Sequence, residues 1–460
     1  MRPPAATVAV RQKGEADMSE EWLWKSAADL GRGIASGEID ALSLTETYLA
    51  AIAAHPLRDR IYARLTEDRA LAEAKAAGER ARLGQRRGPL DGVPISWKDL
   101  FDTAGVATEA GSALLKGRVP DRDALVLRNA TAAGLVCLGK THMSELAFSG
   151  LGYNPVTQTP PSVNDAEAVA GGSSSGAAVS VAQGLAACGI GSDTGGSVRI
   201  PSVWNDLVGL KTTSGLLPLD GVVPLVESLD TVGPLCRNVE DAALMLGALG
   251  GTPAPDLAGA TLDGVRFMVL DTAALDDMED APRAGFQSAV ERLQNAGATI
   301  EHRAVPLVDD VVALGAIIMT PEAYATWRDV IEAAPEKMFA GILDRFRAGA
   351  TFSAPDYVAA WRHLHRLRAE WLEATAEFDA VLMPTSPVLP PKIARLAEDP
   401  EYYAHVNILA LRNTKIGNFL GLAALTLPTG MPSTGIMLST APMSENRLLR
   451  LGAAAEAALA

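Results

Sequence analysis

The chain has 460 residues, 48% of them hydrophobic and only 5% aromatic, which is enough apolar material for a large buried core. Its 40 basic residues against 55 acidic ones leave a formal charge of −15, and no basic stripe stands out to bind nucleic acid. No apolar run reaches the roughly 18 residues that a membrane-spanning helix needs.

Residues 1–18 carry Pro3, Pro4 and scattered charge but no apolar stretch of the kind a secretory signal has. They read as a disordered tail, or as an extension upstream of a start at Met18, and leave 19–460 as one domain. From about Trp22 to Leu83 the pattern is helical, a layer packed on the outside of the core. Leu23, Ala27, Leu30 and Ile34 begin one stripe, Leu44 to Ile52 supply a second after Ser43, and Glu67 to Leu83 a third. Short apolar runs then predict buried strands at Val93–Trp97, Leu135–Gly139, Leu185–Ile190 and Leu207–Leu210. Helices are predicted near Ala124–Ala133, Gly176–Gln183 and Val239–Leu249. After a loose Gly251–Pro255 come a strand at Val265–Leu270, a helix at Arg283–Ala296 and a strand at Thr299–Arg303. Residues 308–378 are mostly helical, punctuated by Pro321 and Pro335. Val381–Met383 and Ile436–Ser439 read as late strands and Ser444–Leu459 as a closing helix. The alternation argues for an α/β fold in which one central mixed sheet, rejoined by the late strands, is covered by helices.

Three cysteines, Cys137, Cys188 and Cys236, are widely spaced among apolar neighbours, as buried thiols are in a reducing compartment. The six histidines form no metal-binding spacing, so no metal and no cofactor is expected, and the cytoplasm is the expected location.

Chemistry concentrates in one lysine and two glycine–serine turns. Lys98 ends the run Gly92-Val93-Pro94-Ile95-Ser96-Trp97-Lys98-Asp99. The first turn is Gly171-Gly172-Ser173-Ser174-Ser175-Gly176, and the second is Gly191-Ser192-Asp193-Thr194-Gly195-Gly196-Ser197. A serine activated by a lysine, without histidine, is a known nucleophile–base arrangement and points to hydrolysis of amide-type bonds. An ordinary lysine titrates near about 10.4, so only about one in a thousand is neutral at pH 7.5. Serving as a base requires roughly 3–4 kcal/mol of bias toward the neutral amine, a bias of the sign that burial supplies. The competing reading of Lys98 is a surface ion pair with Asp99. In the second turn, the N–H groups of Thr194, Gly195, Gly196 and Ser197 suit a concave nest for an oxyanion. Arg199 is read as a structural partner of Asp193, with a substrate carboxylate as the alternative.

Two short patterns mislead. Gly134-Leu135-Val136-Cys137-Leu138-Gly139-Lys140-Thr141 satisfies the phosphate-loop expression, but Leu, Val, Cys and Leu at its variable positions make it a buried strand. Gly172–Gly176 satisfies the G-x-S-x-G nucleophile elbow, yet Asn164–Ala170 before it is too polar for the strong strand an elbow follows.

Lys98, Ser173 and Ser197 at these intervals resemble the amidase signature family. The likeness runs from about Asp40 to the C-terminus and includes Gly88–Pro94, Gly139–Thr141, Val208–Thr212, Asp230–Pro234 and Gly421–Pro428. The resemblance implies a single large domain with a mixed sheet of many strands wrapped by helices. It also implies Ser197 as acylated nucleophile, Ser173 as a bridging serine in a cis peptide at Gly172–Ser173 or its neighbour, and Lys98 as base. Ala147, Phe148, Tyr153 and Ser173 are the candidate substrate-binding residues. The expected activity is metal-free cleavage of a small linear amide to acid plus ammonia or amine. The alternatives are the glutamine-hydrolysing A subunit of a tRNA-dependent amidotransferase, an ester or carbamate hydrolase, and a non-catalytic binding relative. A homodimer is the default expectation for assembly, with neither nucleic acid nor membrane as partner.

Overall fold

The computed structural model describes residues 20–460, so the expected tail at 1–18 lies outside the described residues. Its centre is one sheet of eleven strands. In chain order the strands of the described residues are β1 (Tyr62–Leu65), β2 (Pro94–Lys98), β3 (Val136–Thr141), β4 (Pro161–Ser162), β5 (Asp165–Val169), β6 (Cys188–Ser192) and β7 (Val208–Lys211). There follow β8 (Val232–Cys236), β9 (Arg266–Leu270), β10 (Thr299–Arg303), β11 (Ala380–Pro384), β12 (Ala423–Pro428) and β13 (Gly435–Thr440). The order across the large sheet is β1-β3-β2-β6-β8-β7-β12-β13-β11-β9-β10, while β4 and β5 form a separate two-stranded ribbon. β3, β2 and β6 run parallel, β11, β9 and β10 run parallel, and the strands between alternate in direction.

Strands β2, β3, β6 and β7 are buried along their whole length, which is why apolar runs mark them in the sequence. The phosphate-loop look-alike is indeed β3, in the sheet interior. The late strands β11, β12 and β13 rejoin the early ones through the pairing of β12 with β7. The outer strand β10 has no fully buried position and carries Glu301 and Arg303, the charged pattern of a sheet edge.

The N-terminal segment forms helices Ala27–Ser36, Ala41–Ala54 and Glu67–Arg82. Ser26 accepts the Asp29 N–H to cap the first, Asp40 accepts the Ser43 N–H to cap the second, and Gly37 ends the first in the left-handed region. In chain order between the second and third of these helices, however, comes β1, an edge strand of the large sheet paired with β3, whose short Tyr-Ala-Arg-Leu sequence is half-buried and shows no apolar run. β8 and β12 also escape a reading by apolar runs, because proline, glycine and threonine interrupt them. Two further expectations need correction. Pro321 does not break its helix but lies inside Gly315–Ala333. Asn164–Ala170 does contain a strand, β5, held in the peripheral ribbon rather than in the sheet that an elbow needs.

Helix Ser175–Ala182 positions the site. It is buried on nearly every side, and its small residues let it lie directly on β6, where a Cβ at Gly189 would fall 2.7 Å from the Ala177 carbonyl oxygen.

Candidate active site

Lys98 closes β2 and is completely shielded from solvent (0% exposed). Its Nζ donates to Ser173 Oγ at 2.6 Å and to Ser192 Oγ at 2.8 Å, and no carboxylate of the described residues lies within ion-pair distance. The surface ion pair with Asp99 is therefore absent. Successive side chains leave a strand on opposite faces, and Asp99 instead meets Arg64 at 2.7 Å and Lys140 at 3.3 Å. Burial pulls the Lys98 amine down to about 7, against the opposing pull of the Asp230 and Asp193 charges.

Ser173 follows a cis peptide bond to Gly172, and both serine turns are buried. The Gly172 N–H donates to the Gly150 carbonyl at 2.8 Å, and the Ser173 carbonyl accepts the Ser144 N–H at 3.1 Å. Gly171 has φ +81°, and a Cβ there would crowd Trp204 and Pro201 at 2.9–3.0 Å, so no other residue fits this entry to the turn. Ser197 sits on the neighbouring turn, 5% exposed, its carbonyl accepting the Ser174 N–H at 3.3 Å. No hydrogen bond joins the hydroxyls of Ser173 and Ser197 in this arrangement.

The Asp193–Ser197 turn is held from below. Asp193 receives Arg199 through Nε at 3.0 Å and Nη2 at 2.9 Å, both side chains being fully buried, and Asn418 Nδ2 at 2.9 Å. Burial alone would raise the Asp193 carboxyl, but the Arg199 guanidinium holds it well below the usual carboxylate range. Arg199 also donates to the Thr414 carbonyl and to Asn418 Oδ1, so the structural role expected for it is the one observed. The nest expectation needs one correction. The Gly196 N–H is donated to Asp193 Oδ1 at 2.8 Å, because the carboxylate folds back under its own turn. No acceptor among the described residues takes the N–H groups of Thr194, Gly195 and Ser197. Thr194 itself donates its hydroxyl to Asp230, whose carboxyl burial pushes up to about 6.

A cavity of about 480 Å³ lies next to this turn: no residue of the turn lines it, but two of its lining side chains, Lys415 and Met319, come within 3.4–3.7 Å of a Cβ built at Gly195. Phe148 lines it, packed edge-on against Phe346 at 4.7 Å with the Arg345 guanidinium 4.5 Å from its ring centroid. Ala147 and Tyr153 do not line it. Ala147 is buried under the loop in a left-handed conformation, and Tyr153 stacks edge-on with Phe339 and Tyr403 at 5.6 and 6.1 Å. The other side of the wall comes from Met319, Arg345, Arg412 and Lys415, within the stretches 310–360 and 385–415 that the family resemblance marks as pocket walls, although the sequence singles out none of the four individually. Ser192 was likewise unassigned. β2 pairs in parallel with β6, Trp97 opposite Ile190, so the end of β6 comes level with Lys98, a signal available only once that pairing is known.

Fold and cluster together define an α/β protein with a buried amine–hydroxyl site at the ends of parallel strands. The Amidase family model matches residues 43–449. The chain is 36% identical over 438 residues to 2-amino-5-chloromuconic acid deaminase of Comamonas testosteroni, covering 91% of this chain and 93% of that protein. It is 32% identical over 460 residues to the A subunit of the glutamyl-tRNA(Gln) amidotransferase of Chloroflexus aggregans, with coverage of 91% and 93%. Among solved structures, the crystal structure of an amidase superposes with a TM-score of 0.85 at 31% identity, covering 95% of this chain and 100% of that one. The chain belongs to the amidase signature family, and it is a hydrolase acting on carbon–nitrogen bonds. No helix among the described residues is long and apolar enough to cross a membrane.

Proposed function

We propose that this enzyme cleaves a linear carboxylic amide to acid plus ammonia or amine through an acyl-enzyme on Ser197, with Ser173 as proton relay and Lys98 as base. One observation carries the reading: a lysine shielded from solvent, with no carboxylate partner among the described residues, places its Nζ 2.6 Å from Ser173 Oγ, beside the turn that bears Ser197. Burial draws the amine down to about 7, which makes neutral Lys98 available as a proton acceptor near neutral pH.

In this scheme the proton of Ser197 passes through Ser173 to Lys98 while Oγ attacks the carbonyl carbon. The N–H groups of Thr194, Gly195 and Ser197 face the oxyanion, each such donor being worth about 3 kcal/mol of transition-state stabilisation. Lys98 then returns the proton to the leaving nitrogen, and water repeats the cycle on the ester. The hydroxyls of Ser173 and Ser197 are brought to hydrogen-bond reach by substrate, since catalytic hydrogen bonds often tighten only in the complex.

The test is direct. Ser197→Ala and Lys98→Ala are each expected to lower kcat by about a thousandfold or more while the protein stays folded by circular dichroism. If Ser197→Ala keeps about a tenth of the wild-type rate, Ser197 is not the nucleophile. Similarity to the A subunit of an amidotransferase over 91% of the chain favours one second reading, a glutamine-hydrolysing component of a larger complex. The purified chain hydrolysing simple amides by itself supports the free-standing amidase. Activity that appears only with added partner proteins selects the other.

A further inference from the structure

The cavity next to the Gly195–Gly196 turn, joined to it through the Lys415 and Met319 side chains that pack on Gly195, is lined by charge of one sign only. Four basic side chains reach it, Arg345, His405, Arg412 and Lys415, and no aspartate or glutamate of the described residues does, in a protein whose net charge is −15. His405 stands exposed at the mouth. Arg412 is committed to the Asp276 carbonyl at 2.5 Å and to Asn413, with Asp277 at 3.9 Å. Lys415 and Arg345 remain. Neither forms a hydrogen bond or ion pair with any described residue, and Arg345 Nε is buried without an acceptor. The stem of Lys415 lies directly on the catalytic turn: a Cβ at Gly195 would sit 3.4 Å from its Cγ and 3.7 Å from its Cε. Between turn and cations the walls are apolar, from Phe148, Met319 and Phe419.

Burial, with the neighbouring Arg345 cation, draws the Lys415 amine down to about 7. Two adjacent cations without a counter-ion in an apolar cavity are costly when empty, and an anion relieves that cost. Resting on the amide-hydrolysis reading above, we propose that this cavity is an acyl-group subsite for a carboxylate, received by Lys415 and Arg345. The favoured substrates are accordingly half-amides of short dicarboxylic acids. The scissile amide lies at the Ser197 turn, the methylenes against Phe148 and Met319, and the far carboxylate between the two cations.

The experiment compares kcat/KM of the full-length enzyme for succinamate, glutaramate and adipamate with that for the matching neutral diamides. Charge-assisted hydrogen bonds of this kind predict a preference of about tenfold or more for the best half-amide over its diamide, carried mainly by KM. Lys415→Met should collapse that ratio toward one, and Lys415→Arg should restore part of it. Calorimetry of glutarate binding to Ser197→Ala, with and without Lys415→Met, supplies a readout independent of turnover. Lys415-dependent dicarboxylate binding in a protein that cleaves no amide would keep the subsite and overturn the proposed reaction. Diamides cleaved as well as half-amides, with a ratio that Lys415→Met leaves unchanged, would overturn the subsite and keep the reaction. Should Lys415→Met fail to fold, the wild-type ratio decides by itself.

Discussion

Buried and half-buried cations near the Asp193–Ser197 turn include two contrasting groups. Arg199 lies below the turn, bidentate to Asp193, and Lys140 and Arg64 share Asp99 one strand away from Lys98. Lys98, Lys415 and Arg345 lie beside or above the turn, and none meets a carboxylate of the described residues. Lys98 and Lys140 make the contrast sharpest, since they lie on adjacent parallel strands, at the last and the next-to-last position, and both are 0% exposed. The paired cations hold the scaffold, because a buried charge is tolerated when it is answered. The unanswered ones face hydroxyls or open cavity, where a perturbed amine is available for chemistry or for a ligand.

The largest effect that tests this division is on stability. Arg199→Met leaves Asp193 buried, charged and unpaired, and is expected to cost about 3–5 kcal/mol in denaturant unfolding. A loss below about 1 kcal/mol would place Arg199 outside the scaffold group.

A smaller effect is read in pH. The neutral Lys98 amine grows as pH rises through about 7, so kcat/KM should increase about tenfold per pH unit below that value and level off above it. An acid limb displaced to the ordinary lysine range would mean that Lys98 is paired after all.

The smallest effect has the opposite sign to the first. Lys415→Met removes an unanswered cation and should leave the ligand-free protein as stable as wild type or slightly more so. Its amine titrates near 7 folded and near about 10.4 unfolded, so the unfolded chain binds more protons between those limits and stability rises with pH across them. The cost of this half-buried, unanswered cation is therefore greatest below pH 7, and any gain from Lys415→Met should be largest there. Destabilisation by more than about 1 kcal/mol at pH 6 would move Lys415 into the paired group.

Periodicity and local chemistry along the chain determined much by themselves. The helical layer, the buried central strands and the closing helix were legible because a fully buried strand or an amphipathic helix needs its own apolar pattern, which no tertiary context has to supply. The lysine and the two glycine–serine turns were legible because a left-handed, tightly approached backbone such as Gly171 or Gly196 admits only glycine. Tertiary structure alone decided what those pieces face. It joined strands far apart in sequence, brought Ser192 level with Lys98, drew the Gly196 N–H under Asp193, and turned Tyr153 away from the cavity toward Phe339 and Tyr403. Arg345 and Lys415 belong to helices that look ordinary in sequence. A cation's role depends on whether an anion stands within a few ångströms of it, and that distance is set by packing between segments rather than by either segment.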